Sequence, residues 1–244
     1  MNRRTFIGTS VAATLAAKSS FAAGMPKMVR PIGVQLYTVR DAMKSDFEGT
    51  IAKVAAAGYK EVEFAGYFGK DPKDIAAIVH KNGLTASSCH VPYTTLEKSW
   101  PEALDAAHTI GHKLIVNPWI EPAQRDSDDG WKRAAELFNK CGESAKKAGI
   151  QFAYHNHTFE FQAAKSLGGG LPYDYLLKNC DKDLVKMELD LCWITVAGKD
   201  PIPYFNANPG RFPASTSKTS ASSPAPKTRR PQTPTGIWVS SPKS

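Results

Sequence analysis

The sequence predicts an α/β fold on the (β/α)8 barrel plan, incomplete, with about six strand–helix units present. Three observations carry that reading. Apolar runs of strand length alternate with stretches of helical spacing from Pro31 to about Arg211, and regular alternation of this kind builds a parallel sheet covered by helices. None of the strands is followed by a Gly-x-Gly-x-x-Gly turn, which a doubly wound dinucleotide fold would carry. Polar residues recur at the C-terminal ends of the strands, namely Gln35, Glu63, His90, Asn117, His155 and Asp190. A barrel gathers those ends at one mouth.

Each element follows from local signals. Ile32–Tyr37 reads as the first strand, and Phe47–Ala57 has helical spacing, with Asp46 placed to cap it and Gly58 to stop it. Lys60–Phe64 is the second strand. Asp71-Pro72 opens the next helix, since proline suits a first helical turn, and Asn82-Gly83 closes it. Leu84–His90 is the third strand. A helix over Pro101–Ile110 ends at Gly111 and leads to the fourth strand, Leu114–Asn117. A long amphipathic helix over Gly130–Lys147 feeds the fifth, Ile150–His155. A short helix over Tyr173–Asn179 precedes the sixth, Leu184–Asp190. In that sixth strand Val185, Met187, Leu189 and Leu191 share one parity and Lys186, Glu188 and Asp190 the other. The apolar set is expected to face the helices and the polar set the barrel interior. His155 and His157 also share a parity, so both can face one cavity.

A length of 244 residues is enough for one barrel. The net charge of +8 is concentrated at the ends. Residues 1–30 carry five Lys/Arg and residues 211–244 six, with no acid in either. Residues 31–210 keep 20 bases against 23 acids, a net of −3. A nucleic-acid partner is therefore not expected, because its footprint is a basic patch on the folded body. Cys89, Cys141, Cys180 and Cys192 lie far apart with no CxxC pair and read as small buried hydrophobes.

The two ends differ from the body. Asn2-Arg3-Arg4-Thr5-Phe6 precedes an apolar stretch, Val11–Ala17, and small residues at Ser20–Ala23. That order matches a secretory signal over residues 1–23 of the twin-arginine type. The apolar run is too short to span a bilayer, so stable membrane insertion is not expected. The expectation is passage through the export machinery to the periplasm or the exterior. At the other end, periodicity stops near Phe212, and residues 213–244 are rich in Ser, Thr, Pro, Lys and Arg. They read as a disordered or out-of-frame tail replacing the last two units, with the barrel confined to residues 30–212.

The chemistry concentrates in two stretches, Tyr154-His155-Asn156-His157-Thr158-Phe159-Glu160-Phe161 and Glu188-Leu189-Asp190-Leu191-Cys192-Trp193. Abstraction of a proton beside a carbonyl needs a base and a positive charge for the developing oxyanion. Glu160 and Asp190 follow adjacent strands and are candidates to approach as ligands of one divalent metal. Mixed oxygen and nitrogen ligation suits Mn²⁺, Mg²⁺, Co²⁺ or Zn²⁺. His155 and His157 offer a further ligand or donors to substrate hydroxyls. Trp193, and on neighbouring loops Trp119 and Tyr93, could stack on a sugar face. Gly168-Gly169-Gly170 could hinge a lid.

Together with Gly33-Val34-Gln35-Leu36-Tyr37-Thr38-Val39-Arg40, Gly58–Gly66 and Ser88-Cys89-His90-Val91-Pro92, those two stretches resemble the sugar phosphate isomerase/epimerase family of xylose-isomerase-like TIM barrels. The resemblance covers about residues 30–212. It implies one metal at the mouth, with Glu160 and Asp190 as its first two ligands and Glu160 and His157 in catalytic roles. It places His90, Glu63, His155 and Trp193 against the substrate. The family's later motifs, a His-Val-Lys-Asp-like run in strand seven and a Glu in strand eight, are absent. The expected activity is metal-dependent isomerisation or epimerisation of a small sugar or keto-sugar through an enediolate, with this chain short of two ligands. A keto-sugar or keto-inositol lyase or dehydratase is the alternative of the same fold. A non-catalytic sugar-binding protein or inert fragment is the alternative of another class. An endonuclease would want a basic groove that the body lacks.

Overall fold

In the computed structural model, residues 32–218 are described in full and residues 237–240 by their backbone. The expected export signal lies outside the described residues. Seven strands run parallel in chain order: β1 (Gly33–Gln35), β2 (Glu61–Ala65), β3 (Thr85–His90), β4 (Leu114–Asn117), β5 (Gln151–His155), β6 (Val185–Asp190) and β7 (Ala214–Ser217). An eighth, β8 (Ile237–Ser240), runs antiparallel to both β7 and β1 and closes the barrel.

The helices form where the sequence signals put them. Asp46 caps Phe47–Ala56 by accepting from the Gly49 amide, and Asp71 caps Pro72–Lys81 by accepting from the Lys73 amide. Such a cap is worth about 1 kcal/mol. Gly111 ends Trp100–Ile110 in the left-handed region, at φ 95°. The helix Gly130–Lys147 buries Trp131, Ala134, Ala135, Phe138, Cys141 and Ala145 on one face. Phe138 lies 5.4 Å from the Phe152 ring and 5.3 Å from that of Tyr154, which tie the helix to β5. Gly142 allows the close approach to the chain entering β6, since a Cβ there would stand 2.6 Å from the Leu184 carbonyl oxygen.

Strand parity sorts the core into two parts. Val62, Phe64, Phe152, Tyr154, Met187 and Leu189 belong to the large core between sheet and helices. Leu114, Val116, Ala153 and Ala214 form a separate buried cluster, a plug of inward-facing side chains of the kind that fills small barrels. Polar side chains of the same parity stand above it at the C-terminal end.

Two expectations, one about the tail and one about the end of the sixth strand, are corrected. No seventh strand was expected from Ala214 onward, yet Ala214–Ser217 pairs with β6 in the register Glu188↔Ala214, Leu189↔Ser215 and Asp190↔Thr216. Small and hydroxyl side chains carry little apolar signal, but a neighbouring strand supplies the ladder and the interior needs only Ala214 to be apolar. The chain reaches that strand through a helix, Pro201–Ala207, capped by Asp200. Leu191, expected to continue the sixth strand, instead begins the helix Leu191–Val196, because Asp190 turns the chain by accepting from the Trp193 amide. Among the described residues no helix is long and apolar enough to cross a membrane. All four cysteines are free, Cys192 half-buried and the others buried.

Candidate active site

A cavity of about 510 Å³ opens at the C-terminal end of the barrel, lined among others by Gln35, Tyr37, His90, Trp119, His155, His157, Trp193 and Lys218. Its floor is a chain of contacts between strand ends. Gln35 Nε2 donates to Glu63 Oε1 at 2.6 Å, and Ser88 Oγ donates to Glu63 Oε2 at 2.6 Å. His90 Nε2 lies 3.1 Å from Glu63 Oε1 and 3.3 Å from Glu188 Oε1. His155 Nδ1 lies 2.7 Å from the same Glu188 oxygen. Glu63, Glu188 and Asp190 are all fully buried, and carboxylates in that state need partners.

His90, His155 and Glu188 each offer one ligand atom, and those atoms all lie within 4.8 Å of one another. Glu188 Oε2 is buried and has no hydrogen-bond partner among the described residues. An orphaned carboxylate oxygen beside two imidazole nitrogens fits a divalent cation, and a His/His/carboxylate set suits first-row metals and zinc.

The electrostatics separate the two imidazoles. Burial alone would lower the His90 pKa, but the carboxylates of Glu63 and Glu188 outweigh it and push it up to about 10. Burial and then the charge of His90 push His155 down to about 3. Burial and then His155 lower His157 to about 3. Burial, reinforced by Glu188, raises Glu63 above the usual carboxylate range.

Most of the sequence-derived site residues meet here. His90, His155, His157 and Trp193 line the cavity, and Glu63 lies directly behind His90 and Gln35. Asp190 sits on the same floor, its Oδ2 3.7 Å from His155 Nε2. Glu160 does not join them. A 3-10 turn, Phe159–Phe161, carries its carboxyl into a fully buried position where Oε1 accepts from the Tyr154 hydroxyl at 2.6 Å and Oε2 from the His157 amide at 2.9 Å. The expected pairing of Glu160 with Asp190 as metal ligands thus gives way to the His90, His155 and Glu188 cluster, which contains neither. Tyr154 points to the helix layer, and Glu160 follows it there. Tyr93 is buried in the core rather than at the mouth. The triple glycine closes a tight turn in which Ala164 bonds both Gly169 and Gly170.

Three participants were missed as ligand or cavity residues. Glu188 was placed on the interior face by parity but not singled out as a ligand. Gln35 was noted only as one of the polar strand ends. Lys218 lay in the stretch assigned to the tail, where a lone lysine after Ser and Thr gives no signal.

The family described as xylose isomerase-like TIM barrels matches residues 51–217. An inosose dehydratase of Lacticaseibacillus casei is 26% identical over 184 residues, 66% of this chain and 59% of that protein. The chain therefore spans less than two thirds of that relative's length. A sugar phosphate isomerase/epimerase from Parabacteroides distasonis superposes with a TM-score of 0.66 at 28% identity, over 77% of this chain and 75% of the other. A protein whose crystal structure is described as IOLI with a bound zinc atom shares the fold, with a TM-score of 0.59 at 10% identity, over 75% of this chain and 70% of the other. With a barrel of this register, and a match over more than half its length, the chain belongs to the xylose isomerase-like TIM barrel family.

Proposed function

We propose that this chain is a metal-dependent enzyme that moves a proton at a carbon beside the carbonyl of a small polyhydroxy ketone, an isomerase or epimerase of sugars. The observation that carries this is the meeting of the His90, His155 and Glu188 cluster with a cavity walled by Tyr37, Trp119, His157 and Trp193. His90, His155 and Glu188 would hold one divalent ion, and when bound it supplies positive charge beside a carbonyl oxygen. The chain's own residues supply the rest. His157 presents an imidazole on the cavity wall as the proton carrier. Gln35, fixed by Glu63, orients a hydroxyl or carbonyl oxygen. The aromatic rings cover the apolar face of a sugar and keep water from the reacting carbon.

A second reading, dehydration of a keto-inositol, is favoured by the inosose dehydratase relative. It begins with the same proton abstraction and ends by expelling water. A periplasmic or extracellular location is part of the proposal, on the order of charged, apolar and small residues over positions 1–23.

The test is exchange of substrate C–H for deuterium in heavy water, over a panel of ketoses and inososes, with Mn²⁺, Co²⁺, Zn²⁺ or Mg²⁺ supplied. Exchange that disappears on chelation and falls at least about 100-fold in His157→Gln supports the reading. Exchange with retention of all hydroxyls marks the isomerase, and loss of water marks the dehydratase. Ligand binding with no exchange under any metal overturns both and leaves a sugar-binding protein.

A further inference from the structure

The two inward carboxylates of β6 differ in a way that the metal reading alone does not explain. Glu188 keeps one oxygen without a partner among the described residues. Asp190, equally buried, has none to spare. Its Oδ1 accepts from the Trp193 amide at 2.8 Å, and its Oδ2 accepts from Thr216 Oγ1 at 3.0 Å and from Lys218 Nζ at 2.8 Å. Its backbone is fixed as well, the amide donating to Asn156 Oδ1 at 2.9 Å. The Lys218 ammonium also lies 4.8 Å from the centre of the Trp193 ring, within reach of a cation–π attraction.

We propose that Lys218 is the resident cation of the Asp190 half of the site, holding the place on that carboxylate that a divalent ion would otherwise take. This rests on the metal reading above and extends it. The metal is confined to His90, His155 and Glu188, and the second positive charge at the mouth is a side chain. An ammonium has three donors. With one on Asp190, the others are available to a substrate oxygen in the cavity that Lys218 lines. Lys218 would then hold a substrate oxygen on the Asp190 side of the cavity. The position is set by β7, because Thr216 and Lys218 share the inward parity and Thr216 is the register partner of Asp190.

The experiment is a cobalt(II) titration of the full chain, followed by visible absorbance and calorimetry, for wild type, Lys218→Met, Lys218→Arg, Asp190→Asn, Glu188→Gln and Lys218→Met/Asp190→Asn. Asparagine can still cap the helix at position 190, so folding is retained. Wild type and Lys218→Arg are expected to bind one ion, and Asp190→Asn to bind it within about twofold of wild type. Lys218→Met is expected to bind cobalt about tenfold more tightly, or to take a second ion, and the double variant to lose that gain. An unchanged titration in Lys218→Met overturns the proposal, as does a loss of about tenfold or more in Asp190→Asn alone. Glu188→Gln separates the two claims. If it binds as wild type does, the assignment of the metal to the His90, His155 and Glu188 cluster fails, whatever Lys218 does. If wild type takes no cobalt and Lys218→Met does, the lysine proposal stands and the metal reading falls.

Discussion

His155 and Glu188 face each other across two parallel strands, register partners whose side chains meet at 2.7 Å between Nδ1 and Oε1. Backbone pairing therefore fixes two of the three groups of the candidate metal cluster, and only His90, on β3, must reach past the intervening β4. A site built on strands in this way keeps its geometry when loops move.

Glu188→Gln is accordingly expected to abolish tight metal binding while leaving the fold intact. The amide keeps the size of the carboxyl but loses its charge and its strong acceptor oxygen. Metal content after dialysis, read by atomic emission, should fall from about one equivalent to near zero, an affinity loss of about 100-fold or more. Full metal content in Glu188→Gln, with none in Asp190→Asn, would move the site to the other carboxylate.

Glu160 is expected to act on stability rather than on metal. Burial raises its pKa to about 7, against the opposing bonds from Tyr154 and the His157 amide. The unfolded carboxyl titrates near its ordinary value of 4.5, so between those limits the folded state holds the extra proton. The contribution of Glu160 to stability is fully present below pH 4.5 and is lost as pH rises through about 7. The loss is of the order of 3 kcal/mol. Thermal melts of Glu160→Gln from pH 4.5 to 8 should lack that component of the wild-type slope, and its metal content should match wild type. Equal slopes in the two proteins would show that the carboxyl is ionised in the fold throughout.

The alternation of β1 to β6, the caps at Asp46 and Asp71 and the inward parity of Glu188 and Asp190 were legible in the sequence because each rests on residues within a few positions of one another. The path of Glu160 was not. It depends on a 3-10 turn and on the Tyr154 hydroxyl, which stands on the opposite face of β5 from His155. Strand β7 was hidden for a related reason. Its residues are chosen by what β6 and the barrel interior leave open, and Ser, Thr and Lys in a row read as solvent-facing when taken alone. The role of Gln35 needed the β1–β2 register, which makes Gln35 the partner of Glu63, and a pairing between distant strands is not announced by local spacing.

Tyr37 is the wall residue that can be removed at least cost to the fold, being 56% exposed. The Arg40 guanidinium lies over its ring at 4.3 Å and holds it at the rim. Tyr37→Ala should weaken ligand binding by about three- to tenfold with little change in the melting temperature, and Tyr37→Phe should bind as wild type does. Titration of tryptophan fluorescence with a ketose or inosose reads this directly, since Trp119 and Trp193 line the same cavity. A loss in Tyr37→Phe equal to that in Tyr37→Ala would assign the effect to the hydroxyl instead of the ring face.

Closure by β8 gives the last prediction. Its backbone pairs Trp238 with Gly33 and Ile237 with Val34 on one side, and Ser240, Val239, Trp238 and Ile237 with Ala214 to Ser217 on the other. Truncation after Lys218 removes those pairings and leaves β1 and β7 as open edges. Lost ladder bonds worth about 1 kcal/mol each sum to several kcal/mol, which lowers the melting temperature of a domain of this size by about 10 °C. Open edges also invite pairing between copies. Sedimentation should therefore show concentration-dependent association in the truncated chain and none in the full one. Because Thr216 lies on β7, whose ladder to β6 is retained, and Lys218 directly follows that strand, cobalt binding at His90, His155 and Glu188 should survive truncation in the soluble monomer. An unchanged melting temperature with no association would mean that β6 and β7 hold the edge without the closing strand.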